Sequence, residues 1–303
     1  MKLIEALQEQ VGQSKKYVAF THANATTPYL ADVGQKHQRK LCDSLDEMID
    51  RCELRDGMTI SFHHAFREGD KVINLVVDKL AALGLKNITL ASSSLMTCNA
   101  PLIQHIRNGV ISKIYTSGMR GELADAISHG LMAQPVEIHS HGGRVNLIQK
   151  GEINIDVAFL AVSCADEYGN ASGSGGKSRC GSLGYAMVDA QHAKRVVLLT
   201  ESIEPFPYMP ASIVQDQVDY IVKIDSVGDP AKISVGAARV TSNPRELMIA
   251  RSAADVVEHS GYFEQGFSIQ TGSGAASTAC TRFLESRMKN KNICLLYTSP
   301  SPR

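Results

Sequence analysis

The sequence predicts an α/β protein built on an open, largely parallel sheet. Three observations carry that expectation. Short apolar runs recur along the chain, and several are apolar on consecutive residues, as in "VAFLAV" (157–162). A strand covered on both faces needs that pattern. Between these runs lie stretches whose apolar residues return at helical spacing. Where one kind of stretch gives way to the other, glycine or an Asp-Gly pair sits at the junction.

Residues 1–55 read as a charged, helical N-terminal segment with a break at "TTPYLADVG" (26–34). At Asp56-Gly57 the chain turns into a short apolar strand, "TISF" (59–62). Asp70 is placed to cap a helix whose Val72, Ile73, Val76, Leu80 and Leu83 share a face, and Gly84 to end it. The run 87–93 is the next strand, completing a βαβ unit whose strands run parallel. A strand at 111–118 and a helix at 119–130 come next. The runs 136–141, 155–163, 185–190, 195–201 and 219–225 are further strand-like segments. Together, residues 56–239 make a first open α/β sheet domain. A second unit starts at 240: a helix over 241–261, with Asn243 as its cap and Pro244 in its first turn, an alternating run at 266–271, a "GSG" turn (272–274), and a helix from 275. Residues 240–293 thus read as the truncated start of a second, similar domain. The Ser/Pro-rich "CLLYTSPSPR" (294–303) has no periodicity and reads as an artefactual tail, a short disordered tail being the alternative.

Bulk chemistry narrows the function. Lys+Arg and Asp+Glu are both 31, so no excess charge draws the chain to nucleic acid or an anionic membrane. No apolar run approaches the ~20 residues of a membrane span. The N-terminus carries acids, unlike a secretory signal. The seven cysteines are scattered without a C-x-x-C pair, which fits reduced thiols in the cytoplasm.

Three stretches carry candidate chemistry. "SFHHAFREG" and "EIHSHGGR" each join histidines to glycine and arginine: His63, His64 and Arg67 in one, His139, His141, Gly142, Gly143 and Arg144 in the other. As strand residues, His63 and His64 face opposite ways while His139 and His141 share a face. No H-E-x-x-H and no Cys/His cluster supplies a metal site. The histidines are either satisfied polar residues at strand ends or walls of an anion pocket where open α/β sheets bind ligands. "SIQTGSGAAS" sets Gly272, Ser273 and Gly274 between a strand and a helix. It is either a plain tight turn or a cradle of backbone N–H groups for a phosphate or an oxyanion. The Gly/Ser-rich 163–184 stretch is long for a connection and reads as either an active-site lid or a disordered loop. In it Asp166 and Glu167 offer an acid/base pair, and Cys164 and Cys180 offer thiols with no base in view.

The pattern as a whole resembles the alpha-subunit family of bacterial citrate lyase, in the CoA-transferase superfamily. It does so from about residue 50 to 293, on "DGMTISFHHAFREGD", "IYTSGMRGELADAISHG", "IHSHGGRVNLI", "GSLGYAMVDA", "NPRELMIARSAADVVEHSGYF" and "GFSIQTGSGAAS". The resemblance implies a CoA-transferase-like fold of two similar halves, the second cut short here. It implies exchange of acetate for citrate on an acyl-carrier thioester, through a mixed anhydride without a covalent enzyme intermediate. It implies as partners a beta subunit that cleaves citryl-carrier and a gamma subunit, the acyl-carrier protein, whose CoA-like prosthetic group holds the acetyl; no cofactor is expected on the chain itself. Histidine and arginine at 63, 64, 67, 139, 141 and 144 would then bind the citrate carboxylates with Gly142 and Gly143, and the backbone of 272–274 would stabilise the oxyanion. A transferase for another carboxylate such as citramalate, or a non-catalytic assembly fragment, stays open.

Overall fold

The structure, a computed structural model, describes residues 40–233, 240–272 and 274–293. Its strands are β1 (Leu41–Cys42), β2 (Thr59–Phe62), β3 (Ile88–Ser92), β4 (Ile111–Thr116), β5 (Glu137–Ile138), β6 (Val157–Val162), β7 (Cys164–Asp166), β8 (Ala171–Ser172), β9 (Arg195–Thr200), β10 (Ile203–Glu204) and β11 (Tyr220–Lys223). Its helices are α1 (Leu45–Arg51), α2 (Val72–Ala82), α3 (Leu102–Arg107), α4 (Gly121–Ser128), α5 (His141–Gln149), α6 (Tyr185–His192), α7 (Pro244–Glu258) and α8 (Ala275–Lys291).

Eight strands form one parallel sheet in the order β1-β11-β9-β6-β2-β3-β4-β5. From β2 the chain winds outward through β3 and β4 to β5, then returns so that β6 lies on the other side of β2 and winds outward again through β9 to β11. The order therefore reverses between β2 and β6, the point at which open α/β sheets form a ligand crevice beyond the strands' carboxyl ends. A small sheet, β10-β7-β8, continues from the end of β6.

The apolar runs explain the centre. Every residue of β6 is buried, as are Val196–Thr200 of β9, because helices and loops cover both faces. Phe62 and Phe159 stack across the β2/β6 pair with centroids 5.6 Å apart. Helix α2 buries Val72, Ile73, Val76, Val77 and Leu80 against the sheet, each worth about 1.5–3 kcal/mol of transfer free energy. Asp70 stands at its head, its Oδ1 accepting from Ile73 N at 3.0 Å, and burial raises its pKa to about 7. Gly84, at φ 78°, turns the chain away at the other end.

Three expected elements before residue 240 differ. The segment 1–55 lies outside the described residues as far as 39; beyond that, Leu41–Cys42 is not helical but pairs with β11 as an edge strand. The run 136–141 is a strand only at Glu137–Ile138, because Ser140 accepts Gly143 N on its hydroxyl at 3.0 Å and caps α5. The run 185–190 is helical: Ala186, Asp189 and Ala190 are its buried positions, spaced for a helix.

Residues 240–272 and 274–293 contain α7 and α8, which pack on one another around Ala254, Phe263 and Leu284. Asn243 Oδ1 caps α7 through Arg245 N at 2.9 Å, as its place before Pro244 suggests. Arg287 bridges Asp255 and Glu258. The alternating run 266–271 forms no strand, since no strand lies beside it among the described residues to complete a ladder. Residues 294–303, read as an artefactual tail, lie outside the described residues.

Candidate functional site

The loops and helix starts just past β2, β3, β5 and β6 build the crevice. Strand β2 ends at Phe62, and the two histidines beyond it part company. His63 turns inward: it is 2% exposed, its Nε2 donates to Ala161 O on β6 at 2.7 Å, and its Nδ1 accepts from Ala65 N. Both ring nitrogens are spent, and burial pulls its pKa down. His63 thus ties β2 to β6 and has no nitrogen left for a ligand, which corrects its expected place in the anion pocket.

His64 faces the crevice. Ser93, one residue past β3, holds it twice: Oγ accepts from His64 N at 3.0 Å and lies 2.6 Å from Nδ1. The His64 ring packs beside His141 and Tyr185, with centroids 5.7 and 5.6 Å away, and His141 and Tyr185 are 5.3 Å apart. Three polar rings, from the loop after β2 and the first turns of α5 and α6, therefore surround one spot. Burial first, and then the nearby His63, His141, Arg67 and Arg144, lower the His64 pKa to about 4. It is neutral at pH 7. Burial raises the Tyr185 pKa, so its hydroxyl keeps its proton and remains a donor. Arg67 is half-buried at φ 50° and forms no ion pair among the described residues. It adds unbalanced positive charge to this end of the sheet.

Arg144 is not a ligand-facing arginine. It is 1% exposed, bonds Asp189 of α6 through both terminal nitrogens at 2.8 and 2.9 Å, and donates to Ala91 O on β3 at 2.9 Å. A buried charge of this kind survives only when paired and hydrogen-bonded. The pair locks α5 to α6 and β3, and with them His141 to Tyr185, whose ring lies 5.7 Å from the guanidinium.

The other expected residues scatter. His139 stacks on Tyr115 and lies 3.7 Å from Glu137, and it does not share a strand face with His141, which opens α5. Gly142 and Gly143 belong to the first turn of α5, not to a loop; the Gly143 N–H is taken by Ser140, while Gly142 is exposed. Gly274 is the N-terminal cap residue of α8, Gly272 lies two residues before it, and Ser273 lies outside the described residues. No hydrogen bond, ion pair or ring contact among the described residues joins Gly272 or Gly274 to the crevice.

The 163–184 stretch is anchored rather than lid-like. Cys180 N and Gly181 N both donate to Gly173 O, closing a ring, and buried Ser178 is held by Glu201 and Gly228. Asp166 organises the turn: Oδ1 accepts from Tyr168, Gly169 and Asn170 N–H groups, and Oδ2 from Asn170 Nδ2 and Tyr208 N. Burial pushes its pKa up, but these bonds outweigh it and hold the carboxyl below the usual range. It is no acid/base partner for exposed Glu167. Burial raises both thiols, Cys180 to about 12, so neither is a ready nucleophile.

The residues missed at the sequence level are Ser93, Tyr185 and Asp189. Ser93 lay in view in "ASSSL", just past a strand next to β2. Tyr185 was hidden by reading α6 as a strand. Among the described residues no three His, Cys, Asp or Glu side chains converge as a metal site requires, and no helix is long and apolar enough to cross a membrane.

Comparison with known proteins bears on the purpose of this crevice. The family model for "Citrate lyase, alpha subunit" matches residues 38–298. The chain belongs to that family. It is 62% identical over 290 residues to the citrate lyase alpha chain of Klebsiella pneumoniae, covering 96% of this chain and 57% of that one. To the citrate lyase alpha chain of Escherichia coli K12 it is 65% identical over 255 residues, covering 84% and 50%. The chain thus spans about half the length of the curated relatives it matches. Among solved structures it matches a Streptococcus mutans protein assigned as the alpha subunit of citrate lyase, in complex with citrate: TM-score 0.81, 51% identity, 86% of this chain and 51% of that one. The alpha subunit of an Acinetobacter baumannii malonate decarboxylase shares the fold at TM-score 0.61 and 18% identity, covering 88% and 48%. The fold is that of CoA-transferase-like proteins.

Proposed function

We propose that the chain supplies the carboxyl-end crevice of a citrate lyase alpha subunit that exchanges acetate for citrate on an acyl-carrier thioester. The observation that carries this reading is the set of donors gathered at the switch point, in a chain 51% identical to a relative solved with citrate. Citrate brings about three negative charges at neutral pH. Arg67 offers positive charge, the His141 ring and the first turn of α5 offer N–H donors, and neutral His64 and Tyr185 offer protons without accepting one. A citrate carboxylate attacks the acetyl thioester carbonyl and the carrier thiolate leaves. The thiolate then attacks the citryl carbonyl of the mixed anhydride, acetate departs, and no proton need move. Such a reaction asks for oxyanion donors more than for a base, and that is what the crevice holds. The backbone of 272–274 remains a candidate for the same oxyanion.

The thioester is a substrate carried on the CoA-like arm of a gamma subunit. A beta subunit would cleave the product to oxaloacetate, in the cytoplasm. The test is acetate release from acetyl-carrier by the full-length protein, with citrate and citramalate compared. Release with citrate, slowed about 100-fold in His64→Ala, is the expected result. Preference for citramalate would reassign the substrate; no release with any carboxylate would leave an assembly role.

A further inference from the structure

We infer that Ser93 fixes His64 in the neutral tautomer that carries its proton on Nε2, making His64 a hydrogen-bond donor to the crevice and not a base. This rests on reading the crevice as the transferase site. The protons at one buried oxygen decide the tautomer. Ser93 is fully buried, and its Oγ has one proton to give. That oxygen already accepts from His64 N. Among the described residues the one acceptor within reach of its proton is His64 Nδ1, at 2.6 Å. If Nδ1 carried the ring proton instead, Oγ would accept twice and its own proton would be stranded in the interior. The Ser93 backbone is held on both sides, its N–H donating to Phe62 O at 3.0 Å and its carbonyl accepting from Ser117 N at 3.1 Å, so its Cβ is fixed beside the His64 ring.

Nε2 lies across the ring from Nδ1, away from β3, with no partner among the described residues. The charges around the ring favour the same state. His63, His141, Arg67 and Arg144 all oppose a proton on His64, and Tyr185, the remaining ring beside it, brings no negative charge. A fixed N–H donor aimed at the crevice suits the oxyanion formed when citrate attacks the thioester. It is wasted on proton abstraction, which the exchange does not need. Ser93 is therefore a positioning residue acting through His64.

Two measurements test this. The first is long-range proton–nitrogen NMR of the full-length protein with ¹⁵N-histidine, His64 being assigned by the signal lost in His64→Gln. The expected result at pH 7 is one neutral tautomer protonated at Nε2, becoming a mixture in Ser93→Ala. A proton on Nδ1 in the wild type, or an unchanged tautomer in Ser93→Ala, would overturn the inference. The second is kinetic. Ser93→Ala should lower kcat about tenfold, the value of one aligned hydrogen bond, with KM moving less than about twofold. His64→Gln, whose amide can replace the Nε2–H, should keep more activity than His64→Asn; the reverse order would contradict a donor role. If the wild type releases no acetate while Nε2–H is observed, the transferase reading fails and the tautomer assignment stands.

Discussion

The two ends of the sheet are both rich in polar groups, yet they differ in what those groups have left to give. At the amino ends of β2, β6, β9 and β11 lies a cavity of about 370 Å³ lined by Glu53, Arg55, Asp156, Lys194, Arg195 and Asp219 among others. Arg55 apart, its charges are mostly answered within it. Lys194 pairs with Asp156 at 2.7 Å and Arg195 with Glu53 at 3.0 Å, while Asp156 and Asp219 also accept Thr59 N and Val196 N. At the carboxyl ends the pairing is incomplete. His64 Nε2 has no partner, Ser117 Oγ and Arg144 Nε have no protein partner, and Arg67 has no counter-ion among the described residues. The difference teaches that a hollow is a poor guide to a site, whereas unspent donors held by spent ones are a better guide.

Breaking the support under the carboxyl end should have the largest effect. Asp189→Ala strands the buried Arg144 charge and should cost about 3–5 kcal/mol in urea unfolding. Replacing both partners, Arg144→Met with Asp189→Leu, should recover most of that stability but loosen His141 against Tyr185. A single Asp189→Ala loss below ~1 kcal/mol would mean the pair is not a brace. Next is the exposed face of the crevice itself. His64→Ala should lower kcat/KM for citrate about 100-fold, the usual scale for one lost oxyanion donor.

The pH dependence comes third. His64 in the folded protein has a pKa of about 4, below its ordinary 6.5. The unfolded chain therefore takes up a proton between those values while the folded one does not. The stability is whole above about pH 6.5 and falls as pH drops towards 4, by roughly 2 kcal/mol once partial solvent access is allowed for. Asp70, raised to about 7, works oppositely, so the effect is read as the difference between wild type and His64→Gln at pH 7 and pH 5. Equal slopes in both would contradict the neutral state of His64. The smallest change belongs to the amino end. Lys194→Ala, on a largely exposed pair, should cost at most about 1 kcal/mol and leave acetate release unchanged. A clear loss of activity there would undo the contrast between the two ends.

Much of the fold was legible because its signals are local. The doubly covered strands β6 and β9 announce themselves as unbroken apolar runs, and α7 by Asn243-Pro244. The site was legible only as neighbourhoods. His63 and His64 could be singled out as a pair, but not which of them turns inward, because that is set by Ala161 O, 98 residues away. Arg144 looked like a ligand for an anion because its partner, Asp189, lies 45 residues on, in a stretch that reads as a strand and folds as a helix. The strand read at 266–271 had the right alternation and no neighbour to pair with. Pattern gives an element's type, and long-range hydrogen bonds decide which polar residues are spent.

The measurement that bears most directly on the crevice is citrate titrated into full-length protein carrying ¹⁵N-histidine, with every ring followed at pH 7. His64 and His141 should shift together and saturate at one citrate concentration. His105, paired with Asp78, and His259, bonded to Asp255 O, should stay still. Saturable citrate binding that leaves His64 and His141 unmoved would place the anion elsewhere and contradict the account.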